Sequence, residues 1–443
     1  MTSGLASGQD SEPMRLGRVR WWLWLVLLAC GVILGMTVTP ARVRHHLTAG
    51  QQLIAEGNAD SAMSRFRTAM DLDPENPETH FWMARCFRKL GNLPAVRQHL
   101  DEALRLRYAD PERLKREWWL CLAQTGQLRE TEQHLATLIS SPGEDGPEIC
   151  EAYAKGYALN LQYDAATMLL EAWAKESPGD YRPHFRLGQL YLDSRQQSEK
   201  AESSFRTAVQ LAPELSDCHR ELGRALAAQQ KLDEAAAAFQ KCLLLNASDP
   251  VALLQLAVTL KDLKRYSEAE TECRRAMELS PNTEKAQTLL AEILVADSRA
   301  SQAVEILKEL ATVWPDDLRI RYALAMALQK SGRREESQQE LRIYESLEPV
   351  SKQIEDLAKQ LEKKPDDVNL RFQFGSLRLR HESRDEGVAW LQSILMSHPE
   401  HAETHQVLAD YFSKIGDSTR AEIHRRRLSE SGFSPEHATE RTQ

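Results

Sequence analysis

A chain of 443 residues is longer than one hydrophobic core usually serves, yet no shift in composition divides it. A net charge of −9 excludes general nucleic-acid binding, which needs a basic surface to displace counterions. With 27% charged residues and only 20 glycines, the composition suits helices rich in surface.

Residues 1–20 mix Gly, Ser, Pro and both charges and read as a disordered tail. Trp21 to Thr39 then reads WWLWLVLLACGVILGMTVT, without a charge. At about 1.5 Å per helical residue, that run just spans a hydrocarbon core. Trp21, Trp22 and Trp24 cluster at one end, where indoles favour the membrane–water interface. The run is expected to be an uncleaved signal anchor, a single transmembrane helix over 21–39. The rival reading is a cleaved signal peptide and an exported chain. Against it, the run is longer than a usual signal core, and no small-x-small site cleanly precedes Pro40. Arg15, Arg18 and Arg20 before the run outnumber Arg42 and Arg44 after it. This favours a cytoplasmic N-terminus, with the rest of the chain on the outer, periplasmic or extracellular side.

From Val43 onward the chain echoes itself every 34 residues. Pro281, Pro315 and Pro349 keep that spacing, as do Leu222-Gly223, Leu256-Ala257, Leu290-Ala291 and Leu324-Ala325. Such a period marks a stacked array whose units contact only their neighbours, which frees chain length from core size. Each unit reads as two antiparallel helices. The first carries a large residue, a small one, and a large one three further on. The second carries Ala, then an aromatic or Leu four later, then Ala three after that. Proline closes the unit because it cannot continue a helix. Residues 43–76 show the pattern with Ala49-Gly50, Leu53, Gly57, Ala62, Phe66, Ala69 and Pro74. Looser copies follow at 77–110, 112–145 and 147–180. The copy at 112–145 puts Trp118-Trp119 where the large/small pair belongs, which puts close packing there in doubt. Clear copies cover 181–215, 216–249, 250–283 and 284–317, and a looser one covers 318–351.

The phase then breaks: Leu324 to Phe374 spans 50 residues rather than 34. Ser351 to Lys364 reads as one amphipathic helix ending at Pro365, a linker helix or half repeat over 352–367. Two further copies cover 368–401 and 402–435, within 368–435, and 436–443 is a tail. The last helix, Ser418 to Glu430, is very polar. Its His424, Arg425, Arg426 and Arg427 read as solvated capping residues.

These residues resemble the tetratricopeptide-repeat (TPR) pattern, from about Val43 to Pro435. The resemblance implies an all-α, right-handed α-solenoid of about eleven helix-turn-helix repeats, here preceded by one transmembrane helix. It also implies that the first helix of each unit lines a concave groove that takes partner segments. The inward positions stand two before the large/small pair and one and four after it. In copies two to six, these and their neighbours are Phe81, Arg85, Arg88, Arg113, Arg116, Lys155, Arg182, Phe185, Arg220 and Arg224, with Glu151 among them. Guanidinium groups hold carboxylates bidentately and rings take apolar anchors, so this basic stripe is the candidate site for an acidic, extended segment of a protein partner. The bland alternative is that these arginines are solvated or paired to acids on the next helix. Further on the inward positions turn mixed and apolar: Leu254, Val258, Thr288, Glu292, Tyr322 and Met326. The family's clamp for C-terminal carboxylates uses Asn and Lys, and Asn is missing from the first copies' inward positions.

Seven cysteines form no C-x-x-C pair. They read as core residues, with a disulfide between neighbouring repeats as the alternative. None of the common phosphate-binding, metalloprotease or nucleophile-elbow motifs occurs, so no catalytic residue and no cofactor is expected. His398, His401 and His405 crowd within eight residues, but no carboxylate–cysteine set completes a metal site and His401 falls in a turn. His80, His184, His219 and His405 all precede the large residue of a pair by three, where the family often has Trp. His405 therefore fits packing, and no metal is expected. The functional expectation is a membrane-anchored interaction scaffold that assembles or recruits an envelope complex. The alternative is an exported carrier for an anionic ligand or polymer.

Overall fold

The computed structural model describes residues 40–430 apart from Glu56, Leu161, Gln196, 280–283 and 365–366. The expected tail 1–20, the apolar segment Trp21–Thr39 with Cys30, the turn proline Pro281 and the tail 436–443 lie outside the described residues. Among the described residues there is no strand, and no helix is long and apolar enough to cross a membrane.

The chain divides after Cys121 into two compact units. The first holds α1 (residues 40–55) with α2 (Ala59–Leu72), α3 (Pro77–Lys89) with α4 (Leu93–Arg105), and most of α5 (Pro111–Gln124). The second continues with α6 (Leu128–Ser140). Helix pairs then repeat: α7 (Gly146–Leu159) with α8 (Tyr163–Glu176), α9 (Tyr181–Arg195) with α10 (Ser198–Leu211), and α11 (Ser216–Ala228) with α12 (Leu232–Leu245). Next come α13 (Pro250–Asp262) with α14 (Tyr266–Leu279), α15 (Glu284–Ala296) with α16 (Ala300–Val313), and α17 (Leu318–Lys330) with α18 (Arg334–Ser346). A single helix, α19 (Glu348–Lys363), precedes the last pairs, α20 (Val368–His381) with α21 (Arg384–Ser397) and α22 (Ala402–Lys414) with α23 (Ser418–Glu430). The result is an all-α helical repeat solenoid.

The large/small pattern has a direct steric cause. In three repeats the small residue of the first helix faces a phenylalanine ring of the second. A Cβ on Gly50, Gly188 or Gly223 would lie 2.4, 2.6 or 2.7 Å from Phe66, Phe205 or Phe239. All three rings are fully buried, so the helices approach this closely only where the side chain is absent. Six described cysteines are free thiols: Cys86, Cys121, Cys150, Cys218, Cys242 and Cys273. Burial pushes five of them up to about 12 and Cys150 to about 11.

Two local readings change. Pro349 does not close a turn; it sits in the first turn of α19, where its missing N–H has no helical partner to lose. In α5 the fully buried positions are Glu117, Leu120, Cys121 and Ala123, while Trp118 and Trp119 are half-buried. The cationic Arg97 guanidinium lies 4.8 Å from the Trp118 ring centre, and stacking of this kind suits a half-exposed indole.

In eight of the repeats the turn between the two helices uses one left-handed residue. Glycine fills it at Gly57, Gly91, Gly126, Gly332 and Gly416. Gln230, Lys264 and Ser298 fill it in repeats six to eight, at φ of 60°, 62° and 62°. At Lys264 the two closing bonds, Lys264 N–H to Lys261 O and Arg265 N–H to Leu260 O, are 2.9 and 2.8 Å. The backbone is thus fixed with a Cβ in an unfavourable place. Lys264→Gly is expected to stabilise the chain by about 0.5–1 kcal/mol, net of the entropy glycine adds to the unfolded state. Urea unfolding of the two proteins checks this; an unchanged or lower midpoint would contradict it.

Candidate functional site

Within the first unit, much of the basic stripe is spent internally. Phe81 is fully buried, stacked on Tyr108 at 5.1 Å between ring centres. Arg85 and Arg88 are 4% and 1% exposed and share one buried acid: Arg85 Nη2 reaches Glu117 Oε2 at 2.8 Å and Arg88 Nε reaches Oε1 at 2.5 Å. Arg113 places its guanidinium 4.9 Å from the Phe81 ring, and Arg116 is half-buried. Phe81, Arg85 and Arg88 therefore hold α3 against α5 and offer no surface to a partner.

Within the second unit the pairing is more open. Arg182 grips Asp180 with Nη2 to Oδ2 at 2.7 Å and lies 5.4 Å from the Trp173 ring. Phe185 is half-buried against Phe205. Arg220 donates to Asp217 at 2.7 Å and Asp249 at 2.6 Å, and these acids raise its pKa against the opposing effect of burial. Arg224 bonds Glu221 at 2.5 Å, and Lys155 is exposed.

The second unit also contains a large cavity, of about 1290 Å³. Its floor comes from α13, α15 and α17, the first helices of repeats seven to nine. Leu254, Val258, Thr288, Glu292, Tyr322 and Met326 all line it, as do Leu289 and Val295. The six inward positions that the repeat spacing picks out as mixed and apolar thus share one cavity. Val251 and Tyr322 are 50% and 49% exposed, so the floor is open to an occupant. Across from it stand Asp385, Val388, Ala389 and Gln392 of α21 with Tyr411 and Ile415. Two lining lysines face acids rather than empty space: Lys261 Nζ lies 2.7 Å from Glu292, and Lys285 pairs with Asp385. Burial pushes the Glu284 carboxyl above the usual carboxylate range, against the opposing effect of Arg384.

Contacts of long range bring α21 and α22 to this place. Arg384, fully buried, pairs with the equally buried Asp317, the N-cap residue of α17. Its guanidinium sits 4.2 Å from the Trp314 ring centre, and Lys414 Nζ lies 3.9 Å from the same ring. His381 Nδ1 donates to the Asp316 carbonyl at 2.9 Å. No short motif announces Arg384; the only trace in the sequence is the break in phase between Leu324 and Phe374.

A tetratricopeptide-repeat family model matches residues 53–116, 226–293 and 294–351; two further models of that repeat match 348–433 and 185–250. The chain belongs to the tetratricopeptide-repeat family. A 110-residue stretch is 31% identical to cellulose synthase operon protein C of Pseudomonas fluorescens (strain SBW25), covering 25% of this chain and 8% of that protein. The chain thus spans under a tenth of that relative. Yeast Tom70 is similar at 14% identity, TM-score 0.36, covering 90% of this chain and 94% of Tom70. The pilF protein of Pseudomonas aeruginosa is similar at 15% identity, TM-score 0.31, covering 64% and 96%.

TPR geometry also explains the histidines. His80 Nε2 lies 3.0 Å from the Pro74 carbonyl and its Nδ1 lies 3.0 Å from His99 Nδ1. His405 repeats this with Pro399 and His424, both at 2.8 Å. A carbonyl only accepts, so His80 and His405 carry their protons on Nε2, and His99 and His424 donate from Nδ1. Each pair fastens a turn proline through two helices. His219 Nε2 meets the Pro213 carbonyl in the same way, at 2.9 Å. His401 caps α22, its Nδ1 accepting from Thr404 N–H at 3.2 Å. His424 is therefore not a solvated capping residue; it is half-buried, with its ring parallel to Phe412. Arg425, Arg426 and Arg427 are exposed.

Burial, then the partner imidazole, lowers His99 and His424 to about 4. The unfolded chain, with histidine near about 6.5, takes up these protons first as pH falls. Their contribution is complete above about pH 6.5 and is lost as pH drops toward about 4. Thermal unfolding should therefore show a midpoint that falls from pH 7 to 4. His99→Leu/His424→Leu should start lower yet fall less over the same window. Parallel curves for the two proteins would refute the assignment.

Proposed function

We propose that this TPR chain is an interaction scaffold, rather than an enzyme, and that it holds a segment of a partner protein in the cavity of repeats seven to nine. The observation that carries this reading is the cavity itself. Its volume of about 1290 Å³ exceeds the ~300–1,000 Å³ of small-molecule pockets. Its floor is mostly apolar, and several of its charged side chains are already paired. An acidic segment would find less here than an apolar one, because each buried charge needs a partner of its own. The basic stripe is the weaker candidate, since Phe81, Arg85 and Arg88 are buried.

The uncharged run Trp21–Thr39 supports a place at a membrane, and the excess of arginines before it supports the repeats lying on the outer side. Anchoring there would raise the effective concentration of partners at that surface, as assembly or recruitment of an envelope complex requires. The full chain should accordingly resist alkaline carbonate extraction from membranes, and a chain of residues 40–443 should not. Equal extraction of both would remove the anchor.

The cavity is tested by isolating the tagged chain from its native cells and quantifying proteins that accompany it. Val258→Glu/Met326→Glu is expected to lose a specific companion at least about tenfold, equivalent to ~1.4 kcal/mol. Arg224→Glu should retain it. The reverse pattern would move the site to the basic residues.

A further inference from the structure

We propose that α19 to α23 move as one body that gates the cavity, pivoting where α18 meets α19 and bolted shut through Arg384. The proposal rests on the cavity's geometry and not on which partner fills it.

Four observations carry it. First, the two walls of the cavity have separate cores. The apolar cluster of repeats six to nine runs from Leu226 to Leu328, whereas Leu379, Leu391, Ile394, Leu408, Phe412 and Ala421 form another. Helix α19 belongs with the second wall: Ile354, Leu357 and Leu361 pack on Phe374 of α20. Bodies with their own cores and a polar interface move relative to one another by default.

Second, the joint is lightly built. Leu347 serves as both the C-cap of α18 and the N-cap of α19, without a side-chain capping bond. Ser337 is the buried residue of α18, and its Leu341, Ile343 and Tyr344 are only half-buried. Sparse apolar burial of this kind marks the low-stability end of a structure, where opening motions begin.

Third, the contacts across the interface are ionic and aromatic. They comprise Arg384 with Asp317, Lys285 with Asp385, Lys414 and Tyr411 with Trp314, and His381 with the Asp316 carbonyl. Fourth, the bolt is incompletely satisfied. Among the described residues, Arg384 Nε and Nη2 find no hydrogen-bond partner, and a second acid, Glu284, is 3.8 Å from Nε. A buried ion pair gains Coulomb energy and loses hydration in similar measure. Opening reverses both terms at once, which leaves the closed and open states close in free energy. An occupant touching both walls would then tip the balance toward closure.

The experiment is a distance measurement by pulsed electron resonance on the full chain, with spin labels at Gln302 on α16 and Glu403 on α22, both exposed. The wild-type bolt should give one main distance, with a longer one in about 10% of molecules or fewer. Arg384→Met should make the longer distance the majority. Lys285→Glu, an exposed change that leaves both cores intact, should also raise it. The charge swap Lys285→Glu/Asp385→Lys should restore the wild-type distribution. Circular dichroism establishes that each variant keeps its helices. One unchanged distance in all variants would overturn the gate. So would a longer distance that the charge swap fails to reverse, since that marks local damage.

Discussion

A helix pair of this kind cannot bury its own apolar face, and every other property of the chain follows from that constraint. One ring, Phe66, Phe205 or Phe239, fills the space left by a glycine on its partner helix. The remaining apolar stripe is covered only when the next pair stacks on it. Stacking leaves the first helices of successive repeats side by side. Residues 34 apart then face a common space, as Leu254, Thr288 and Tyr322 do. The cavity is a consequence of the stacking rule rather than a separate invention.

The second wall of that cavity obeys a different physics. Where repeats join, burial of Leu, Ala and Phe does the work. Where α21 and α22 meet α15, α17 and the C-terminal end of α16, a buried arginine, a capping aspartate and an indole do it instead. Asp317 has two duties: it accepts the Ile320 N–H as the N-cap of α17, and it receives Arg384. Such a contact specifies where the last repeats dock more than how tightly they dock.

Much of this was legible from residues alone. The helix-pair unit followed from spacing, because a 34-residue period fixes which small residue meets which ring. The inward positions of repeats seven to nine followed from the same register. Two things were not legible. Phe81, Arg85 and Arg88 have the right positions for a groove, but Glu117 lies about thirty residues on and draws the arginines inside. Charge on one helix says nothing about an acid on the next but one. Likewise Arg384 and Asp317 are 67 residues apart, and neither lies in a motif. Pro349 misled for a local reason: a proline that ends one helix and a proline that begins another look alike until the flanking turn is seen.

The most direct test of the account is photo-crosslinking in the native cell from a benzophenone side chain placed at Tyr322, on the open floor of the cavity, with Lys155 as the comparison position. The account predicts a discrete protein adduct at 322 that disappears when Met326→Glu is added. An adduct from 155 with none from 322 would contradict it and return the binding site to the basic residues of the earlier repeats.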